Sequence, residues 1–289
     1  MNNKTKQRGS GWSIKLAFDL YRLFGYKFVY YIMYPVSFFY YLFASNVKEA
    51  LDEYYKHLNI KMTNKIYYEH LRMFAICMVD RFIAKADPQS YTFEYDDLEE
   101  QIRILEKGTL ILYSHFGGWA ASSSSPISNN KINIVMKEAI LESIKDIERD
   151  VENNTKNNTT IIDLNDGVLN TSIKIANALI DNEIVVMMAD RSANKKSEVQ
   201  AMFLGEMANF NKNPFQIAYK MDKSLLAYFI VWTDIQKYKV IHINIKMDRT
   251  KKENEAIMIA LNEYITKYED VIKQYPNQWL NFYNFWEKE

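Results

Sequence analysis

The stretch 109-TLILYSHFGGWAASSSS-125 decides how the rest of the chain is read. Its first half, Leu110–Tyr113, is a short continuous apolar run, the pattern of a strand buried on both faces of a parallel sheet. His115 then stands where such a strand ends, followed by Gly117-Gly118 and a small-residue tract that opens like a helix. In open α/β sheets ligand crevices lie beyond the carboxyl ends of strands, so His115 is placed where chemistry would sit. The glycines would let substrate or backbone approach the imidazole closely.

Working outward, further apolar runs occur at 132-INIVM-136, 160-TIID-163, 184-IVVMMA-189, 225-LLAYFIVW-232 and 239-KVIHINIK-246. Helical patterns separate most of them, over 139–152, 167–181 and 213–222, with 252–274 last. That alternation predicts an α/β fold with a mostly parallel or mixed central sheet flanked by helices. The final two runs, joined by a short polar turn, predict a hairpin. The Asn-rich tract 153-NNTKNNTT-160 reads as a loop.

Toward the N-terminus the character changes. Residues 28-FVYYIMYPVSFFYYLF-43 are almost wholly apolar or aromatic, preceded by the amphipathic 12-WSIKLAFDLYRLF-24. Residues 1–27 carry Lys4, Lys6, Arg8, Lys15, Arg22 and Lys27 against Asp19 alone. The 16-residue run is shorter than the roughly 20 residues that span a bilayer core. Tyrosines and basic residues favour the membrane–water boundary and anionic headgroups. An interfacial arm over 1–45 is therefore expected beside an α/β domain over 46–289; a buried core helix and a short span also fit the pattern. A secretory signal is a poor match, because the apolar run begins late and no small-residue cleavage site follows it. From Asn46 to Lys85 the periodicity is helical.

Composition excludes several classes. Lys+Arg and Asp+Glu balance at 36 each, which gives no global field for nucleic acid. The single cysteine, Cys77, excludes an internal disulfide and a multi-cysteine metal site. Phosphate-cradling glycine loops, zinc-protease motifs and serine nucleophile elbows are absent. Of the four histidines, His57 and His70 fall in polar helical stretches and read as surface residues, while His242 reads as structural. A second polar feature, Asp190-Arg191, ends an apolar strand. It reads either as a surface pair capping a turn or as a place where Arg191 holds a phosphate or carboxylate.

Taken together, these segments resemble the late lipid A acyltransferases (lauroyl/myristoyl type) of the lysophospholipid acyltransferase superfamily. The resemblance rests on 110-LILYSHFGGW-119, 190-DR-191, 203-FLG-205, 213-NP-214 and 276-PNQWLNFYNFW-286, and covers roughly residues 8–286. It implies acyl transfer from an acyl carrier protein or coenzyme A thioester to a hydroxyl of a membrane glycolipid or lysolipid, with no cofactor beyond the thioester. It also implies peripheral or monotopic attachment at the cytoplasmic face of a bacterial inner membrane. His115 would be the general base and Arg191 a phosphate ligand. Ser114, Gly117, Gly118, Trp119, Asp190, Phe203, Gly205 and Pro214 would shape the substrate site. The family pattern H-x-x-x-x-D/E ends here in Ala120, which cannot orient an imidazole. Three readings stand open: an introduced substitution, a catalytically inactive lipid-binding relative, or another carboxylate serving His115, with Glu138, Asp163 and Asp166 as candidates. A soluble α/β binding protein with a buried N-terminal helix is the alternative outside the family.

Overall fold

The computed structural model describes residues 11–122, 128–137, 158–192 and 194–286. Seven strands form the central sheet: β1 (Thr92–Tyr95), β2 (Leu110–Tyr113), β3 (Ile132–Met136), β4 (Thr159–Asp163), β5 (Ile184–Met188), β8 (Leu225–Asp234) and β9 (Lys237–Ile245). Their spatial order is β1-β9-β8-β2-β5-β3-β4. Neighbours run parallel except β8 and β9, which form the expected antiparallel hairpin. The expected strands are all present. The helical pattern over 139–152 and the serines 123–125 lie outside the described residues.

The central strands are apolar throughout because each face of the sheet is covered. Along β2, Leu110 and Leu112 enter one core layer while Ile111 and Tyr113 enter the other, as the two-residue period of a strand requires. One layer is closed by α1 (Gly11–Phe43), α3 (Asn64–Ala86), α4 (Leu98–Leu105) and the short α5 (Trp119–Ser122). The other is closed by α2 (Ser45–His57), α6 (Val168–Ile180), α7 (Asn213–Met221) and α8 (Glu253–Gln274).

A second hairpin, β6 (Glu198–Phe203) with β7 (Glu206–Asn211), has no counterpart among the expected strands. Its two-residue turn, Leu204-Gly205, has both φ angles positive, at 50° and 90°. That is the primed geometry that matches strand twist, and it explains Gly205.

The N-terminal arm is one long helix broken at Gly25, whose φ of 76° and ψ of 175° are non-helical. Beyond the break Tyr26, Val29 and Met33 are buried against α3. The opposite side leaves Phe28, Tyr31, Phe39 and Phe43 exposed, the last at 79%. Arg72 of α3 lies over the Tyr34 ring, 4.7 Å from its centroid. No single helix among the described residues is long and apolar enough to cross a membrane; Lys15–Phe43 and Ser45–His57 pass only as a pair bent by 92°.

A buried carboxylate pins this arm to the sheet. Asp80 on α3 is fully buried and accepts from the hydroxyls of Tyr26 on α1, Tyr91 and Tyr238 on β9. Burial raises the Asp80 carboxyl to about 6, against the opposing pull of the three tyrosine hydrogen bonds. Replacing Asp80 with Leu would strand three buried hydroxyls, each costing ~1–3 kcal/mol. Denaturant unfolding of Asp80→Leu in detergent micelles should therefore show a loss of about 3 kcal/mol or more.

Candidate active site

The sheet brings two residues together that sequence spacing keeps apart. β2 and β5 are parallel neighbours with Tyr113 opposite Met188. Two residues beyond each, at the carboxyl edge, stand His115 and Asp190. The ladder continues past the strands, with Ala189 N–H donating to Tyr113 C=O at 2.9 Å.

Asp190 is completely buried, whereas the His115 side chain is 23% exposed. His115 Nδ1 lies 3.0 Å from both Asp190 oxygens, and the His115 main-chain N–H donates to Asp190 Oδ2 at 2.8 Å. A carboxylate only accepts, so Nδ1 carries a proton, and in the neutral ring Nε2 is the nitrogen that keeps the lone pair. Arg191 Nε stands 3.2 Å from the same Nδ1 and, with that nitrogen already protonated, contributes charge rather than a hydrogen bond. Burial pushes the Asp190 carboxyl up. The His115 ring, its hydrogen bonds and the Arg191 charge outweigh this and hold it at about 2.

A third residue completes the pair. Asn281 is also fully buried and donates from Nδ2 to Asp190 Oδ2 at 3.1 Å. It belongs to the C-terminal segment, which lies across the His115 loop through an isolated antiparallel bridge between Phe116 and Trp279. Leu280 N–H donates to His115 C=O at 2.7 Å, and Gly117 N–H donates to Gln278 C=O at 2.8 Å. The Gln278 side chain in turn brackets Trp232 of β8, accepting from its N–H and donating to its C=O.

The two glycines are explained by this packing. Gly117 has φ of 53°, and a Cβ there would lie 1.9 Å from Ile230 O. A Cβ on Gly118 would lie 2.1 Å from the Tyr238 ring, the same ring whose hydroxyl binds Asp80. The close approach they permit is to backbone and ring on β8 and β9. Their amides are committed to Gln278 and Ile230, so neither is free to receive a developing oxyanion.

Of the other anticipated positions, Trp119 meets the His115 ring edge-on with centroids 5.9 Å apart. Arg191 packs over Tyr283, 5.4 Å from its centroid. Ala120 presents only a methyl on α5. Ser114 is 1% exposed and faces inward. Phe203 is buried in an aromatic stack with Tyr268 and Trp286, Gly205 forms the β6–β7 turn, and Pro214 is buried at the first turn of α7. None of these last three is brought to His115. Asp163 binds the Asn165 amide and Asp166 binds Lys174, each within its own loop or helix start; Glu138 lies outside the described residues.

Two histidines expected at the surface are not there. His57 is 11% exposed and stacks on Trp286 at 3.7 Å. His70 is fully buried. His242 stands in β9 with Gln101 3.1 Å from its Nδ1. Within 276–286 nothing in the sequence distinguishes Asn281 and Gln278 from their neighbours, because their partners Asp190 and Trp232 are distant in the chain.

An apolar cavity of about 600 Å³ runs between α1 and α3, lined by Val29, Met33, Phe74 and Val79 among others. Phe282 also lines it, the residue next to Asn281 in the chain. Its size falls within the range of small-molecule pockets.

A sequence model of the bacterial lipid A biosynthesis acyltransferases matches residues 64–288. No curated protein matches the chain.

Because the folded Asp190 is held below the ordinary carboxylate value, its contribution to stability is present above about pH 4 and is lost as pH falls through about 2. Asp190→Asn should be less stable than the parent at pH 7, and the gap should narrow by pH 2.5. Denaturation midpoints of both proteins at the two pH values check this.

Proposed function

The chain belongs to the bacterial lipid A biosynthesis acyltransferase family, and from that premise we propose that it moves a fatty acyl chain from a coenzyme A or acyl carrier protein thioester to a hydroxyl of a membrane glycolipid, with His115 as general base and Asp190 as its carboxylate partner. The single observation that carries this reading is the hydrogen-bonded pair itself: an exposed imidazole edge backed by a buried, ionised carboxylate at 3.0 Å. In the proposed step Nε2 takes the acceptor O–H proton as the oxygen attacks the thioester carbonyl. The tetrahedral intermediate then expels the sulfur, the C–S bond breaks, and the imidazolium returns its proton to the leaving thiolate. Ester and free thiol result, and the base is regenerated. A hydroxyl is a poor nucleophile, so a base matched to neutral pH is what the chemistry requires.

Arg191, half-exposed beside the imidazole, is the proposed partner for negative charge, either a substrate phosphate or the oxyanion. The cavity beside Phe282 is proposed to hold an acyl chain. The exposed aromatic side of α1 is proposed to rest in the membrane interface, which favours peripheral attachment. No cofactor enters the proposed step. The Asp190 contact favours this active reading over the catalytically inactive lipid-binding relative, because it supplies what Ala120 lacks.

Thioester-dependent acylation of a lipid A precursor separates the readings. His115→Ala should lose about 10²–10⁴ of the rate. Asp190→Asn should fall by a similar order, since the wrong tautomer would then be favoured. Ala120→Glu should change the rate by less than about threefold, as Nδ1 already has its partner. Activity that appears only on Ala120→Glu would establish the inactive reading instead.

A further inference from the structure

The C-terminal segment that touches both His115 and Asp190 is itself held from behind, by residues that touch neither. His70 on α3 is fully buried, and burial lowers it to about 4 despite the opposing hydrogen bond to Trp279, so the ring is neutral at physiological pH. Its Nε2 lies 2.6 Å from the Trp279 carbonyl oxygen, which can only accept. The proton is therefore on Nε2, and Nδ1 is the acceptor for the Tyr55 hydroxyl of α2 at 3.0 Å. Both ring nitrogens are satisfied in one tautomer only. The Trp279 indole is fixed as well, stacked on Tyr54 with centroids 4.2 Å apart and planes 17° apart.

Trp279 lies between the residues that matter. Gln278 C=O accepts from Gly117, Leu280 N–H donates to His115 C=O, and Asn281 donates to Asp190. We propose that His70, oriented by Tyr55, is a positioning residue for acyl transfer: its Nε2–H fixes the Trp279 carbonyl and with it the Gln278–Asn281 segment that holds His115 and Asp190 in register. The inference rests on His115 being the general base, since register matters only if the imidazole is the working group. A buried histidine that merely satisfied core polarity would stabilise the whole fold evenly. One that positions the segment would tighten this place in particular, and displacements of about 1 Å at reacting groups can cost ~10² in rate.

The test uses the full chain in detergent micelles. His70→Leu keeps bulk and removes the donor; His70→Gln keeps a donor at similar reach; Tyr55→Phe removes only the orienting hydroxyl. Hydrogen exchange is followed in peptides covering Gly117 and Leu280, whose amides make the two main-chain bonds, and in β3 and β4 as controls. Turnover is measured with myristoyl-coenzyme A and a lipid A precursor. The expected result is exchange at Gly117 and Leu280 at least about tenfold faster in His70→Leu with the controls unchanged. With it, kcat falls about tenfold or more at unchanged KM, His70→Gln recovers most of both, and Tyr55→Phe moves both in the same direction by less. Exchange that rises evenly through the sheet, or local exchange unaltered in His70→Leu and Tyr55→Phe, overturns the proposal. Full turnover by His115→Ala overturns instead the general-base reading on which the proposal rests, while the exchange data still report whether His70 holds the segment.

Discussion

A carboxylate buried completely beneath a partly exposed imidazole is the constraint that organises this molecule. An isolated ion at that depth would neutralise itself rather than remain charged. Asp190 stays ionised because the His115 main-chain N–H, the His115 ring and Asn281 all donate to it, with the Arg191 charge adjacent. The donors come from two distant parts of the chain, the end of β2 and the C-terminal segment. The sheet must place β2 beside β5, and the C-terminal segment must return across the His115 loop, before the charge is tolerable. Folding and the assembly of the site are thus the same event at this point.

The loop around His115 is gripped from two sides. The C-terminal segment holds its main chain at His115 and Gly117, and Tyr238 fills the space that a side chain at Gly118 would need. Tyr238 also reaches Asp80, which binds Tyr26 on the N-terminal arm. A continuous set of contacts therefore links the aromatic arm, through one buried carboxylate, to the loop that carries the imidazole. The imidazole is thus fixed by rigid elements rather than by a free loop, the support that the proposed general base would need.

Much of this was legible in the sequence, for identifiable reasons. Strands buried on both faces, such as Leu110–Tyr113 and Ile184–Met188, announce themselves as unbroken apolar runs. The β6–β7 hairpin does not, because its faces alternate in burial and its turn, Leu204-Gly205, lacks the usual Asn-Gly signal. The charged neighbours Glu69 and Arg72 make His70 read as a surface residue; its position three residues after Tyr67 and three before Met73 sets it on the buried stripe of α3. The missing carboxylate at Ala120 was visible, but its substitute was not, since Asp190 lies 75 residues along the chain and only strand pairing brings it to His115. The pair Asp190-Arg191 reads as a turn cap or an anion site, and by resemblance as part of the substrate site, but not as the partner of His115, because contacts between parallel neighbours leave no local trace.

The tautomer of His115 tests the account most directly. Long-range ¹H–¹⁵N correlation spectra of the histidine-labelled protein, recorded where the ring is neutral, distinguish a proton on Nδ1 from one on Nε2. The Asp190 contact predicts Nδ1 protonated and Nε2 bare in the parent, with that preference lost in Asp190→Asn. A parent spectrum with the proton on Nε2, or one unchanged by removing the Asp190 charge, would contradict it.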